Sequence, residues 1–520
     1  MKKIVLSLFL LTLSFSFAEE SLLLEQVLSI AIKNNYEIKK QQYALAQAEG
    51  QFKQAFGELD VELGAQAQYT RKHIPVDESD PQFIYGYSFL TPDNINGIFS
   101  NDTLSEQTNG SVYAKKLFSF GLESKLSYTI QRTKNQPYYK YAKNYDYEKY
   151  EQENGRNVGE LSIEISLPLF KSFMNSVAAL QIDGARDSME QMRFNLQDTI
   201  AKTMIQVSKA YWDYFLAWHK YSQLKKLQKK IEDRIKNVKV LQRAGVRTKN
   251  DLLAFQVNEI ETQREVENAL ITFNQKKVDL QNAMGIPETS ILGQPDIKII
   301  DLNVEDDILP DPQAIDESFI NYVINNRSDF IALQKKIDAA ENQMKLARAD
   351  SLPDARFNFS LGATGTSYSD EASRIIGAGF WNIRGINIGG SANVAIKLGN
   401  NTKKGALEAA TASYNTALTE YKKAKSELYL NLKNISSMLA IYRESVKDAD
   451  SVLEMQNSLY SNEQARFSAG MITVDNIIDA DQKNINAQIN YYQLLINYMD
   501  AVLQYKYSTA SLLDIAIDLQ

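Results

Sequence analysis

Two periods organise the polar and apolar positions of this chain. From about residue 172 to 241, the apolar residues Leu224, Leu227, Ile231, Ile235, Val238 and Leu241 step by threes and fours, the seam of a coiled coil. The segment has no proline and only Gly184 near its start, so it predicts one helix of roughly 70 residues, on the order of 105 Å long. A partner helix is expected from about Asn250 to Met284, stopped by Gly285-Ile286-Pro287. A second pair is expected from about Thr402 to Ser468, with Val446, Leu453, Tyr460 and Phe467 at strict sevens, and from about Asp475 to Thr509. Shorter helices are expected over Leu22 to Phe56 and Gln313 to Asp350.

Between each short helix and its long one, the period changes to two. Val61, Leu63, Ala65, Ala67 and Tyr69 alternate with Glu62, Gly64, Gln66, Gln68 and Thr70. The same alternation marks Leu161 to Leu169, Phe357 to Ala363, and Ile386 to Ile396. Four strands of roughly 10 residues match the length that a tilted strand needs to cross a bilayer. Half-buried sheet in a soluble protein gives the same pattern. Four strands do not close a water-filled barrel, so a barrel reading requires several copies of the chain. A further alternating stretch, Phe118, Phe120, Leu122, Leu126, Tyr128 and Ile130, is compatible with either an extra hairpin or additional wall.

The plan occurs twice. Ala48-Glu49-x-Gln51-x-Lys53-x-Ala55 returns as Ala340-Glu341-x-Gln343-x-Lys345-x-Ala347, an offset of 292. Ala244-Gly245-x-x-Thr248 returns as Ala469-Gly470-x-x-Thr473, an offset of 225, so the first copy holds 67 extra residues. The Tyr-, Asn- and Lys-rich stretch 71–159 is where they fit, and it reads as inserted loop and hairpin.

The N-terminus has two lysines, an apolar run from Ile4 to Phe17 and Ser16-Phe17-Ala18, the pattern of a secretory signal peptide over residues 1–18. The expected layout is then a first copy over 19–288 (strands within about 60–170, helical hairpin 172–284) and a linking segment at 289–312. The second copy covers 313–520, with strands within about 356–398 and a helical hairpin at 402–509. No stretch of about 18 apolar residues follows the leader, so integral contact with a membrane would fall to strands. The chain has no cysteine and two histidines, which excludes disulfides, thiolate metal sites and most imidazole chemistry. A net charge of −7, mixed along the chain, gives no reason to expect nucleic acid as partner. No phosphate loop, metal-ligand spacing or nucleophile elbow appears, so neither an enzyme nor a cofactor is expected.

LLLEQVLSIAIKNNYEIKKQQYALAQAEGQFKQA near the start, SLPLF at Ser166 to Phe170, and the turns RAGVRTKNDLLAF and SAGMITVDNIIDADQ resemble the TolC-like outer-membrane efflux proteins. The order and duplication of these motifs carry the resemblance. Two departures stand out: Asp60-Val61 replaces the family's Leu-Pro, kept as Leu352-Pro353, and the second copy lacks the proline of SLPLF. The resemblance implies a mixed α and β fold of two structural repeats, built as a homotrimer. Its 12-stranded β-barrel, four strands per protomer, would continue into a coiled-coil tunnel in the periplasm. It also implies an outer-membrane exit duct of a tripartite efflux pump or type I secretion system. The partners would be a periplasmic adaptor and an inner-membrane pump of RND, ABC or MFS type, with outer-membrane lipid around the barrel. A periplasmic coiled-coil scaffold without channel activity is the alternative.

In that architecture Gly245 and Gly470 mark the periplasmic turns, where Thr248, Asp251 and Thr473 would meet the adaptor. The family's aperture motif places two aspartates six and nine residues after the second glycine, which falls on Asn476 and Asp479, with Asp475 beside them. A local account competes: Thr248-x-x-Asp251 has capping-box spacing and Thr473-x-x-Asn476 is its weaker counterpart. The aromatics Tyr211, Trp212, Tyr214, Phe215 and Trp218 sit at helical spacing and read as packing residues.

Overall fold

The computed structural model describes residues 22–74, 102–138, 156–170, 177–287, 289–290, 292–295, 315–368, 371–381 and 383–512. The leader, most of the linking segment and most of the Tyr-rich run after Pro137 lie outside these residues. Ten helices and six strands are described: α1 (Leu24–Asn34), α2 (Tyr36–Gly57), β1 (Val61–Ile74), β2 (Asp102–Leu117), β3 (Glu123–Tyr138), β4 (Arg156–Pro168), α3 (Val177–Arg243) and α4 (Lys249–Met284). The second half adds α5 (Glu317–Asn326), α6 (Ser328–Ser351), β5 (Asp354–Ser367), α7 (Ala372–Ile376), α8 (Ala378–Trp381), β6 (Ile383–Ala395), α9 (Asn401–Ser468) and α10 (Val474–Ser508).

The two long hairpins lie within a few residues of their expected bounds. The opening helices do not run unbroken. The first breaks at Asn35, whose backbone leaves helical space while its side-chain oxygen accepts from Glu37 N (2.8 Å) and Ile38 N (3.2 Å), capping α2. Its amide also donates to the Ala283 carbonyl at 2.8 Å, which fixes the break against α4. The second breaks at Arg327, in extended backbone, where the guanidinium pairs with Asp329 at 2.6 Å. At the first break the Asn35 side chain takes backbone N–H groups of the next helix, and at the second the Asp329 carboxylate, held by Arg327, accepts from Phe330 N at 2.9 Å; neither site carries glycine or proline.

By contact the chain divides into two units: one of residues up to 48, 188–337 and from 416 on, the other of 49–187 and 338–415. The helical unit is built on apolar clusters. One joins Val27, Leu28 and Ala31 of α1 to Met204, Val207 and Tyr211 of α3, Leu280 and Met284 of α4, and Leu495 and Met499 of α10. The aromatics at 211–215 belong to it, as expected, and the Tyr211 hydroxyl donates to the Leu22 carbonyl at 2.6 Å. The coiled-coil seam is buried from Leu224 to Val238, whereas Leu241, expected to extend it, is exposed.

The other unit centres on one sheet, entirely antiparallel, in the order β1-β2-β3-β4-β5-β6. This corrects the expected four strands per chain to six among the described residues. The extra pair is the inserted stretch, and it is not a loop outside the sheet. β2 pairs with β1 from Val61↔Lys116 to Ile74↔Thr103, and β3 pairs with β4 from Glu123↔Ser166 to Thr133↔Arg156. A five-residue turn, closed by Phe118 N donating to Leu122 O and by Gly121 at φ +88°, joins β2 to β3.

The register places Leu63, Ala114, Leu126, Ile163, Leu361 and Ile388 in one row across all six strands. Over the middle of the sheet one face therefore collects the apolar positions, bounded on β1–β3 by Lys116 at one end and by Arg71, Glu106 and Arg132 at the other, and the opposite face collects Glu62, Lys115, Lys125, Glu164, Asn358 and their neighbours. Towards the opposite end from the turn, α7 and α8 lie on the apolar face. The Phe380 ring packs on Tyr128 with centroids 4.5 Å apart, and Gly379 approaches Gly159 so closely that a Cβ on Gly159 would meet Gly379 N at 2.4 Å.

Candidate functional site

The two helical hairpins turn by one geometry. Gly245 (φ +75°) and Gly470 (φ +74°) hold left-handed backbone that glycine adopts at no steric cost. Each donates to the carbonyl three residues back (Gln242 and Phe467, both 3.0 Å). The following residue reaches back five, Val246 to Leu241 and Met471 to Arg466, at 2.9 Å each. These bonds satisfy the last carbonyls of α3 and α9. Open space surrounds both glycines, and Val246 and Met471 stand exposed.

The return helices start unequally. Thr248 accepts from Asp251 N at 3.1 Å while Asp251 accepts from Thr248 N at 2.9 Å, a complete capping box. Thr473 accepts one bond, from Asn476 N at 3.4 Å, and no carboxylate reciprocates. The local account of Asp251 and Asn476 thus holds as geometry. Asp475 is exposed in the first turn of α10. Asp479 is exposed one turn further on and pairs with Lys483 at 2.7 Å.

The hairpins pack on each other near these turns. Ile231, Ile235, Val238 and Phe255 of the first form one buried cluster with Ile472, Val474, Ile477 and Ala480 of the second. Beside it lies a polar contact that sequence reasoning missed: Arg234 donates through both terminal nitrogens to Asp481, which is 4% exposed. Phe467 sits between two guanidinium groups, 6.0 Å from that of Arg234 and 4.9 Å from that of Arg247, with the edge of Phe255 against it. Asp481 follows the Gly470 turn closely, but its partner lies 247 residues away and no local pattern links them.

A different titratable group lies higher in the helical unit. His219 packs on Tyr492 (4.4 Å) and Phe215 (5.9 Å), and burial, reinforced by Lys226, lowers its pKa to about 4, so it is neutral. No group of histidines and carboxylates among the described residues is arranged to hold a metal ion. No helix among them is long and apolar enough to cross a membrane, which does not bear on a β-barrel.

A two-faced antiparallel sheet combined with paired helical hairpins of 67 and 36, and 68 and 35 residues defines the class: the fold of outer-membrane channels. The CmeC outer membrane channel of Campylobacter jejuni aligns with a TM-score of 0.63 at 12% identity, covering 95% of this chain and 89% of that one. VceC of Vibrio cholerae gives 0.59 at 12% (94% and 96% covered), and the open state of the Neisseria gonorrhoeae MtrE channel gives 0.58 at 13% (94% and 89%). Comparison with curated proteins finds no match. Residues 319–506 match the family model described as outer membrane efflux protein, and the resemblance read from the sequence is borne out.

Proposed function

We propose that this chain is an outer-membrane channel, the exit duct of a tripartite efflux pump or type I secretion system. It conducts passively what an inner-membrane transporter selects. The observation that carries this reading is the six-stranded sheet with one apolar and one polar face, in a chain that contains an outer membrane efflux protein domain. Such a sheet suits a wall with lipid on one side and water on the other. In the bilayer its edges must be paired, which calls for further copies of the chain, three in a homotrimer.

The helical hairpins would stand in the periplasm and meet the adaptor at their turns, around Gly245, Thr248 and Asp251 and around Gly470 and Thr473. The exposed Val246 and Met471 support this, since each turn presents an apolar side chain directly after its glycine. Asp475, Asn476 and Asp479 are the aperture candidates. Exposure of Asp475 and Asp479 supports them, because three symmetry-related carboxylates at a constriction select cations.

The test is fractionation of outer membranes, migration as a heat-modifiable trimer, and conductance in planar bilayers. Recovery as a soluble monomer without conductance would overturn the reading.

A further inference from the structure

We infer that the β2–β3 hairpin is two full strands of the membrane wall, so that three chains close an 18-stranded barrel, three times the six strands of one sheet. The occupant of each free edge is a second copy of this chain. This rests on the homotrimeric channel proposed above and departs from its expected four strands per chain.

Length is the first support. β2 and β3 have 16 residues each, against 13 or 14 for the other four strands, and all exceed the roughly 9–11 that a tilted strand needs to span a bilayer. Their turn lies at the helix end of the sheet, since the Lys116 ammonium donates to the Leu59 carbonyl just past α2 at 2.9 Å. The hairpin therefore covers the height of its neighbours.

Its two faces are the second support. Val112, Ala114, Leu126, Tyr128 and Ile130 continue the apolar face between Leu63 on β1 and Ile163 on β4, in a band bounded on that face by Lys116 at the turn end and by Glu106 and Arg132 at the other, where a membrane boundary would place charges. On the polar face, the Tyr113 hydroxyl donates to Glu62 at 2.8 Å and Ser127 bonds Ser162 at 2.9 Å. The ammonium of Lys125 lies 3.9 Å from Glu164 of β4, while Lys115 and Glu123, 3.2 Å apart, pair within the hairpin itself. Polar side chains thus tie the hairpin to both flanking strands on the side that would face water. A hairpin standing clear of the membrane needs neither the apolar row nor these cross-links.

Closure is the third. Because six strands alternate in direction, β6 runs opposite to β1, and identical panels join edge to edge in the antiparallel sense that the rest of the sheet uses. Both edges expose large apolar residues on the same face: Val61, Leu63 and Tyr69 on β1, and Ile386, Ile388 and Val394 on β6. One six-stranded panel falls short of the roughly 8 strands of the smallest membrane barrels, so it closes only with other copies. Barrel diameter grows roughly linearly with strand number, so this wall is about half as wide again as one of four strands per chain.

Electron cryomicroscopy of the full-length trimer in lipid nanodiscs is expected to show 18 strands. A trimeric channel with 12 strands and residues 102–138 outside the wall would overturn this inference while leaving the channel; failure to trimerise or to insert would overturn the channel reading itself. The chain has no cysteine, so Ser111→Cys and Val112→Cys report on the two faces directly. Ser111→Cys is expected to react with a small charged maleimide through the pore, and Val112→Cys to lose that labelling in nanodiscs and regain it in the unfolded chain. Equal labelling of both in the membrane would overturn the inference.

Discussion

Arg234 of α3 and Asp481 of α10 form a two-pronged ion pair beside the seam where the helical hairpins meet. Asp481 is sealed from solvent and Arg234 nearly so, with the ring of Phe467 against the guanidinium. Neither the steric match nor the charge is replaceable by water once the helices are packed. Removing one partner leaves a buried charge uncompensated, at a cost of about 3 kcal/mol. Asp481→Ala and Arg234→Ala are each expected to lower the denaturant midpoint of the helical signal. Arg234→Met with Asp481→Leu, which replaces the pair by apolar side chains, should recover most of the loss, and the cycle of Arg234→Ala, Asp481→Ala and their double variant measures the coupling.

Asp479 behaves differently because both it and Lys483 are exposed. Exposed pairs contribute at most about 1 kcal/mol, so Asp479→Ala should leave unfolding nearly unchanged. On the proposed aperture role, its single-channel conductance and block by divalent cations should change. Unchanged conductance and block would remove Asp479 from the aperture.

The unequal starts of α4 and α10 give a third expectation. Thr248→Ala removes the 3.1 Å bond that its hydroxyl accepts from Asp251 N, leaving its backbone N–H donating to Asp251, and should cost about 1 kcal/mol, whereas Thr473→Ala removes a longer bond of 3.4 Å and should cost less. Gly245→Ala and Gly470→Ala meet open space, so their cost, about 1 kcal/mol each, comes from the left-handed backbone alone. Thermal unfolding of the four variants gives the order.

His219 makes stability depend on pH. Its ordinary value of 6.5 applies to the unfolded chain, and burial lowers it to about 4 in the folded one. Between these values the unfolded state binds the proton and the folded state does not, so the contribution is complete above pH 6.5 and is lost as pH falls towards 4. His219→Phe should flatten the fall in unfolding midpoint across this window, measured against the parent protein.

The Gly159–Gly379 contact sets a last expectation. A side chain on Gly159 meets the Gly379 backbone and the Tyr128 hydroxyl, which itself accepts from Gly379 N at 3.2 Å and donates to the Ile376 carbonyl. Gly159→Val should displace 376–380 from the sheet while leaving the strands paired. Faster proteolysis within 371–381, with an unchanged β-sheet spectrum, would report it.

Much of this was legible in the sequence. Leu161, Ile163 and Ile165 alternate strongly with polar neighbours because the strand has one polar and one apolar side, and such a strand announces itself. β2 does not: on its apolar face Thr108, Gly110 and Ala114 surround Val112 alone, too little contrast to read a period. The breaks at Asn35 and Arg327 were hidden because their cause is a capping side chain and an ion pair, not glycine or proline. The turn glycines and the Thr248 capping box were readable because their chemistry is local. The Arg234–Asp481 pair was not, because only the packing of two distant hairpins creates it.

The five-residue turn at 118–122 means that the chain leaves the insert travelling the way it would have travelled without it. β4 still descends towards α3, as a strand following β1 directly would have done. The extra strand pair enters the sheet as a return journey, and any further hairpin at a strand-connecting loop would be equally silent to the helices. On the inferred wall, girth is therefore a property such a protein can vary without redesigning its helical hairpins, while a single added strand would deliver α3 to the opposite end of the sheet.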